Sequence, residues 1–271
     1  MKNPLRYGLR LYPLFILLVC GWPIRSLSEP LRVRHASGTI HGFLELRSQD
    51  GNLAASGEVI QVAHGNHVTL RIDFTFTDGS VDNETAVFSQ RGSFHLLTDR
   101  HVQKGPFFPH PMDVSIDVTS GQVTVRTTGK DGKDWVKVDH LNLPSDLANG
   151  MIPQVFENIL PNSQLTEVSM LVANPKPRLV KLDISSVGEE PFSVAGIARK
   201  SVHYSMKIKL GGVAGIAAPL IGKQPPNVEV WITQGEAPTF IREQGPIYPE
   251  GPIMTIQLAS PVWPNSRKRS S

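Results

Sequence analysis

Residues 67–76, with the sequence HVTLRIDFTF, carry the pattern that decides the fold. Val68, Leu70 and Ile72 alternate with polar or charged residues, and the alternation continues to Phe76. Because successive side chains of a β-strand point to opposite faces, this pattern predicts a strand with one apolar and one solvated face. Such strands are typical of antiparallel sheets, since parallel sheets bury both faces.

The same alternation recurs along the chain, at residues 40–46, 114–118, 136–140, 180–184, 202–210, 228–232 and 254–258. Asp-Gly pairs at Asp50, Asp78 and Asp131 separate alternating runs and predict tight hairpin turns. The order predicted is about eight strands, one helical segment and six or seven further strands. So many amphipathic strands predict a mainly β protein with one large curled antiparallel sheet, as a half-barrel, a barrel or a sandwich.

One segment, residues 144–160, has apolar residues at helical spacing. Asn149-Gly150 and Pro153 interrupt it, so we expect two short helices or one bent helix, with Ser145 or Asp146 as the N-cap. The helical segment either plugs the apolar face of the sheet or gates a cavity. We favour the plug, because it needs no further assumption.

The first 28 residues have the three-part layout of a secretory signal peptide. Three basic residues precede an apolar stretch at 11–20, and small residues lead to a cleavage site after Ser28. The sequence therefore predicts a secreted or periplasmic protein. We interpret Cys20, the only cysteine, as a residue of this signal and not as a lipid anchor, because bulky Val19 precedes it.

The formal charge of +3 belongs mostly to the two ends of the chain. Four of the 27 Lys and Arg residues lie in the predicted signal with no Asp or Glu, so cleavage leaves a charge of −1. Residues 265–271 contain three more basic residues and are predicted to be a disordered tail. The predicted single β-rich domain, residues 29–264, is therefore mildly acidic, which argues against nucleic acid as a partner.

Two apolar stretches are candidate contacts for an apolar ligand or a partner. Phe107 and Phe108 lie between prolines in a loop that either rims a pocket or covers a sheet edge. The run at 210–222, LGGVAGIAAPLIG, has no polar side chain and is either a buried passage or an apolar loop at a cavity mouth. The candidate contact residues are Phe107, Phe108, Met151, Phe156, Val213, Ile216, Leu220 and Ile221.

Motifs for catalysis and cofactor binding are absent from the sequence. The glycines at 211–222 fit neither a dinucleotide loop nor a P-loop, and no nucleophile elbow or zinc-protease motif occurs. Asp78, Asp82, Asn83 and Glu84 do not have calcium-loop spacing and are interpreted as a solvated turn. The nine histidines are scattered, so we expect no catalytic residue, no metal site and no cofactor.

An exported, cysteine-free curled sheet with a short helical plug resembles the periplasmic lipoprotein carriers of the LolA and LolB type and related uncharacterised secreted families. The resemblance covers most of residues 36–262 and implies an apolar cavity for acyl chains. The leading hypothesis is thus a periplasmic protein that binds a lipid or other apolar ligand. The alternatives are an envelope-assembly protein with a packed β core that acts through protein contacts, and, third, an enzyme with an unrecognised site.

Overall fold

A computed structural model describes residues 30–128, 133–160, 162–163, 165–173, 176–194, 196–209 and 224–260. This part of the chain forms fourteen strands and one helix. Their bounds are β1 Ile40–Ser48, β2 Leu53–His64, β3 His67–Phe76, β4 Val81–Ser89, β5 His95–Lys104, β6 Met112–Asp117, β7 Gln122–Thr128, β8 Asp134–His140, α1 Ile152–Asn158, β9 Thr166–Val172, β10 Arg178–Val194, β11 Ile197–Lys209, β12 Val228–Thr233, β13 Phe240–Pro246 and β14 Ile253–Leu258.

All fourteen strands belong to one open antiparallel sheet, which confirms the predicted fold class. The order across the sheet is β8-β7-β6-β5-β4-β3-β2-β1-β14-β13-β12-β11-β10-β9. Consecutive strands are neighbours except for β8 and β9, which form the two edges. The two halves of the sheet meet at the centre, where β1 pairs with β14 through contacts such as Leu44 with Leu258. The predicted turns at Gly51 and Gly79 join β1 to β2 and β3 to β4 with positive φ angles of 81° and 84°. The predicted turn at Asp131 lies outside the described residues.

The sheet curls so that its apolar face becomes an interior. One core cluster lies on strands β9–β12, a second on β3–β7 and a third on the central strands with β14. Side chains far apart in sheet order meet inside: Gln103 on β5 donates a hydrogen bond to the carbonyl of Ile247, directly after β13, at 2.8 Å. The curvature therefore brings the two halves of the sheet face to face.

The helical segment is shorter than the sequence predicts. A single helix, Ile152–Asn158, begins at Met151 without a side-chain cap, so the prediction of two helices or a bent one over 144–160 is wrong, as is the predicted N-cap. Gly150 interrupts the helical pattern with φ +61°. The carboxylate of Asp146 accepts a hydrogen bond from the Ser169 hydroxyl at 2.8 Å and is therefore occupied elsewhere.

Residues 146–149 cover the edge strand β9. The N–H of Ala148 donates to the carbonyl of Ser169 at 2.8 Å, and the N–H of Ser169 donates to Asp146 at 3.2 Å. The side chain of Asn149 then bonds both the N–H and the carbonyl of Leu171, at 2.8 and 3.0 Å. This edge of the sheet is consequently paired by the chain itself, which removes a site for unwanted strand addition.

The helix packs inside the curl and contacts both halves of the sheet. The ring of Phe156 lies 5.6 Å from that of Tyr204 on β11, and Gln154 donates to Gln61 on β2 at 2.8 Å. Asn158 accepts the backbone N–H groups of Arg34 and His35, both at 2.8 Å. These contacts are those of a plug that ties the two halves together. None of the described helices is long and apolar enough to cross a membrane.

Gly57 offers a test of the inner face, because the ring of Phe74 lies directly over it. A Cβ at position 57 would overlap this ring. We expect Gly57→Ala to lower the free energy of unfolding by about 1–3 kcal/mol, as overpacking does. Urea unfolding measures the change. Gly38→Ala, where a Cβ meets nothing within 4 Å, is the matched control and is expected to unfold like the wild type.

Candidate functional site: a charged cluster inside the curled sheet

The predicted contact residues Phe107 and Phe108 belong to an aromatic cluster of the core. Their rings lie 4.5 and 5.2 Å from Phe76 and 6.0 and 5.8 Å from Tyr248. Phe108 is fully buried, whereas Phe107 is partly buried. The loop thus packs against the end of β3 and the turn between β13 and β14.

The other predicted contacts are not brought to this loop. Met151 is buried in the cluster on β3–β7, and Phe156 is buried in the cluster on β9–β12. Val213, Ile216, Leu220 and Ile221 lie outside the described residues. The four described candidates therefore occupy three different core clusters and do not form one site.

A different set of side chains meets inside the sheet, on the neighbouring strands β4 and β5. Cross-strand pairing places Glu84 opposite His101, Asp82 opposite Gln103 and Ala86 opposite Asp99, all on the inner face. The His101 Nε2 lies 2.7 Å from Asp82 Oδ1, and its Nδ1 lies 3.9 Å from Glu84 Oε1. Gln103 donates to the other oxygen of Asp82 at 2.9 Å. The histidine is thus held between two carboxylates.

This cluster corrects the interpretation of Asp82 and Glu84 as a solvated turn. Both residues lie in strand β4, and only Asp78 and Gly79 belong to the turn. The sequence does contain the signal: counting back in steps of two from the buried Ala86 and Phe88 places both carboxylates on the apolar face. Acidic residues that alternate in step with buried apolar residues lie on the inner face of the strand. The pattern is easy to miss here because residues 82–85 are all polar.

Burial and the attraction between opposite charges determine the pKa values of His101 and Glu84. Burial alone lowers the pKa of His101, but Glu84, Asp82 and Asp99 together outweigh it and raise the pKa to about 9. Burial raises the pKa of Glu84, against the attraction of His101 and a hydrogen bond from the Gly150 N–H. The histidine is therefore charged at neutral pH.

A further carboxyl group interacts with this cluster from the other half of the sheet. Glu243 on β13 is separated from β4 by four strands in sheet order, yet it interacts electrostatically with Glu84. Burial, and then the repulsion by Glu84, raises the pKa of Glu243 to about 7. Two carboxyl groups from opposite walls thus share one interior region.

Water-sized space adjoins the cluster. Glu84 and His101 keep 28% and 26% of their side-chain surface accessible. Water can therefore reach both side chains. We call the region bounded by Asp82, Glu84, His101 and Glu243 the interior chamber.

Asp99 lies at one side of the chamber and is almost fully buried. Burial, and then the repulsion by Glu84, raises its pKa well above the ordinary value. Its Oδ1 has no hydrogen-bond partner within the described part of the chain and lies against Gly150, where a Cβ would come within 2.8 Å of it. Gly150 thus lets the plug segment approach the cluster closely.

The outer face of the same strands carries a shallow groove. It has a volume of about 470 Å³ and is lined mostly by polar side chains, among them Thr85, Thr98, Arg100, Ser115 and Thr124. Within the described ranges, no group of three or more His, Cys, Asp and Glu side chains has a geometry that could hold a metal ion.

Comparisons with known proteins identify no family for the chain. No protein-family model matches it, and no curated protein sequence matches it. Among solved structures, it is similar to a β-barrel-like protein of the domain of unknown function DUF1849 from Brucella abortus, at 8% identity and a TM-score of 0.46, covering 85% of this chain and 98% of that chain. These findings do not confirm the resemblance to the lipoprotein carriers, which stays a prediction.

The raised pKa of Glu243 predicts how stability depends on pH. A carboxyl group that binds its proton more tightly when folded contributes stability that is full below its ordinary pKa of 4.5 and is lost as pH rises through about 7. We expect Glu243→Gln to flatten the fall in the free energy of unfolding over this range, measured by urea unfolding. Burial also raises the pKa of Glu157 to about 7. The free energy of unfolding of Glu243→Gln is therefore expected to keep a smaller dependence on pH.

The matched control is Glu250→Gln, at an exposed turn. This variant is expected to keep the slope of the wild type. An equally steep fall in Glu243→Gln contradicts the assignment of this titration to Glu243.

Proposed function

We propose that the protein binds a small ligand with an apolar body and a basic group inside the curled sheet, and that it does so after export to the periplasm. The observation that carries this proposal is the pair Glu84 and Glu243, which face one interior from opposite walls. Export follows from the signal-peptide layout of residues 1–28, which lie outside the described part of the chain.

Electrostatics favours a basic group over an acid. Three carboxyl groups, those of Asp82, Glu84 and Asp99, interact with His101, and Glu243 interacts with Glu84. Repulsion between carboxyl groups contributes to the raised pKa values of Glu84, Asp99 and Glu243. A cation placed between Glu84 and Glu243 relieves this repulsion and stabilises both ionised forms. A ligand carboxylate at the same place adds to the repulsion.

The walls beside the carboxylates supply apolar contacts. Ile72 lies opposite Glu84 on the neighbouring strand, and Ile256 lies opposite Glu243. Both isoleucines and Val59 are only partly buried, so they keep surface for further contacts. Ligand sites commonly combine such apolar walls with a few polar groups that fix orientation. This arrangement supports the apolar ligand predicted from the sequence and adds a polar end to it.

The second candidate function is envelope assembly through protein contacts. A specific observation favours it: the edge strand β8 is exposed, with Trp135 and Val136 in solvent. Exposed apolar edges mark strand pairing with another chain. The two functions are compatible, because the chamber and β8 are different parts of the molecule.

Binding of a fluorescently labelled long-chain primary amine tests the proposed function. We expect saturable binding to the protein and weaker binding of the matched long-chain alcohol and fatty acid. Affinity for the amine is expected to rise as pH increases through about 7, because Glu243 ionises while the amine stays protonated. Loss of a charge-assisted hydrogen bond in Glu84→Gln or Glu243→Gln is expected to weaken binding by roughly 10- to 100-fold.

Glu250→Gln serves as the control and is expected to bind the amine like the wild type. No saturable uptake of any of the three compounds contradicts ligand binding altogether. Equal uptake of amine, alcohol and acid, unchanged in the two Glu variants, contradicts recognition by the carboxylates and leaves only an apolar site.

A further inference from the structure

The hairpin formed by β10 and β11 extends beyond the rest of the sheet. β9 pairs with β10 only as far as Ile184, and β12 pairs with β11 only from Ser201 onward. Within the described part of the chain, the two strands beyond these points pair only with each other. We call residues 187–194 and 197–200 the projecting ribbon. All of its residues except Phe192 are exposed.

The tip of the projecting ribbon is apolar. Val194 and Ile197 form its last cross-strand pair, and they keep 57% and 56% of their surface accessible. Phe192 lies two residues before Val194 on the same strand and therefore on the same face. None of residues 191–198 is charged. Three apolar side chains on one face, at the end of a projecting element, form a surface suited to contact with an apolar phase.

Arg199 lies directly behind the tip and carries an unpaired charge. Within the described residues, the only hydrogen bond of its side chain runs from Nη1 to the carbonyl of Ala198, at 3.2 Å. The next residue, Lys200, forms an ion pair with Glu189 at 2.9 Å. A guanidinium group has five N–H donors in a planar fork that matches phosphate oxygens. Residues 191–200 contain these two basic residues and no acidic one, so the end of the ribbon is suited to an anionic surface.

The spacing between the tip and the charge matches the depth of a membrane interface. Ile197 and Arg199 lie two residues apart on β11, which separates them by about 7 Å along the strand. Interfacial helices bury their apolar side chains roughly 5–10 Å into the boundary between headgroups and acyl chains. With Val194 and Ile197 at this depth, Arg199 reaches the phosphate groups of the lipids. The ribbon backbone then stays among the headgroups, where water satisfies its unpaired N–H and carbonyl groups.

The base of the projecting ribbon is fixed to the sheet by Glu190. Its Oε1 lies 2.9 Å from Nδ1 of His203, and its Oε2 accepts a hydrogen bond from Nε1 of Trp231 at 2.9 Å. The rings of His203 and Trp231 are stacked, with centroids 4.4 Å apart. These contacts give the ribbon a fixed direction relative to the sheet. They also engage the carboxylate of Glu190 within the protein, away from the tip.

We propose that the projecting ribbon docks the protein on an anionic lipid membrane, with Val194 and Ile197 inserted at the interface and Arg199 bound to lipid phosphate. A membrane is favoured over a protein partner because a stable protein interface takes about 20–30 residues a side, far more than the tip offers. This proposal is independent of ligand binding in the interior chamber, since none of the chamber residues lies in the ribbon.

Co-sedimentation with lipid vesicles tests the docking, with every variant purified in the same form from cells that express the full chain. The vesicles contain phosphatidylcholine alone or an equal mixture of phosphatidylcholine and phosphatidylglycerol. We expect the wild type to bind the mixed vesicles, and to bind them more weakly as the salt concentration rises. Binding to phosphatidylcholine alone is expected to be several-fold weaker, because the attraction to Arg199 is missing.

Three variants locate the contact. Val194→Asp is expected to lower binding to the mixed vesicles by roughly tenfold or more, because a charge replaces an inserted apolar side chain. Val187→Asp is the matched control: it adds the same charge at a valine of similar exposure, 59%, which lies about 20 Å from the tip along the strand. It is expected to bind like the wild type. Arg199→Gln is expected to weaken binding to the mixed vesicles by about fivefold.

Ile197→Asp repeats the test on the opposite strand of the ribbon, and circular dichroism checks that each variant is folded. Several results would overturn the proposal. One is a wild type that stays in the supernatant with the mixed vesicles. Another is binding by both Val194→Asp and Ile197→Asp that equals that of the wild type. A loss in Val187→Asp as large as that in Val194→Asp would also overturn it, because the added charge alone then explains the effect. Unchanged binding of Arg199→Gln to the mixed vesicles contradicts the contact with lipid phosphate.

Discussion

The pairing of β1 with β14 is the constraint on which the rest of the structure depends. Every other strand pair joins neighbours in sequence, so each half of the sheet can grow as a simple meander. Among the strand pairs, only that of β1 with β14 joins the two halves, and its strands come from opposite ends of the described chain. Closing so long a loop costs conformational entropy, which the burial of the shared apolar face offsets. Without this strand pair, the helix could not contact β2 in one half and β11 in the other at the same time.

Joining the two halves also brings like-charged carboxyl groups close together inside the curled sheet. Glu84 belongs to one half and Glu243 to the other, and they approach only because the sheet curls around its central pair. Charged groups in an interior are costly unless they are paired, hydrogen-bonded or neutralised. His101 partners Glu84 and Asp82, and Asp99 and Glu243 shift toward the protonated form. The proposed basic ligand would relieve the repulsion that remains between Glu84 and Glu243.

The sequence was sufficient for the fold class, but not for the strand order or the site. Alternation with period two predicts β3 correctly, because one face of that strand is solvated. The same rule finds Glu84 only when the apolar phase of Ala86 and Phe88 is extended through a polar stretch. No local pattern pairs Glu84 with Glu243, since that contact depends on sheet curvature. The predicted helical segment was too long because apolar residues at helical spacing, Leu147 and Met151, precede the helix. The backbone at residues 146–148 pairs with β9 instead of forming a helix.

The central claim is that carboxyl groups from both halves share one interior. Carbon-detected NMR titration of the Glu243 side-chain carboxyl, in the wild type and in Glu84→Gln, tests it most directly. We predict a pKa of about 7 in the wild type and a lower pKa in Glu84→Gln, because the repulsion by Glu84 is removed while burial remains. An ordinary pKa near 4.5 in both proteins would contradict the account.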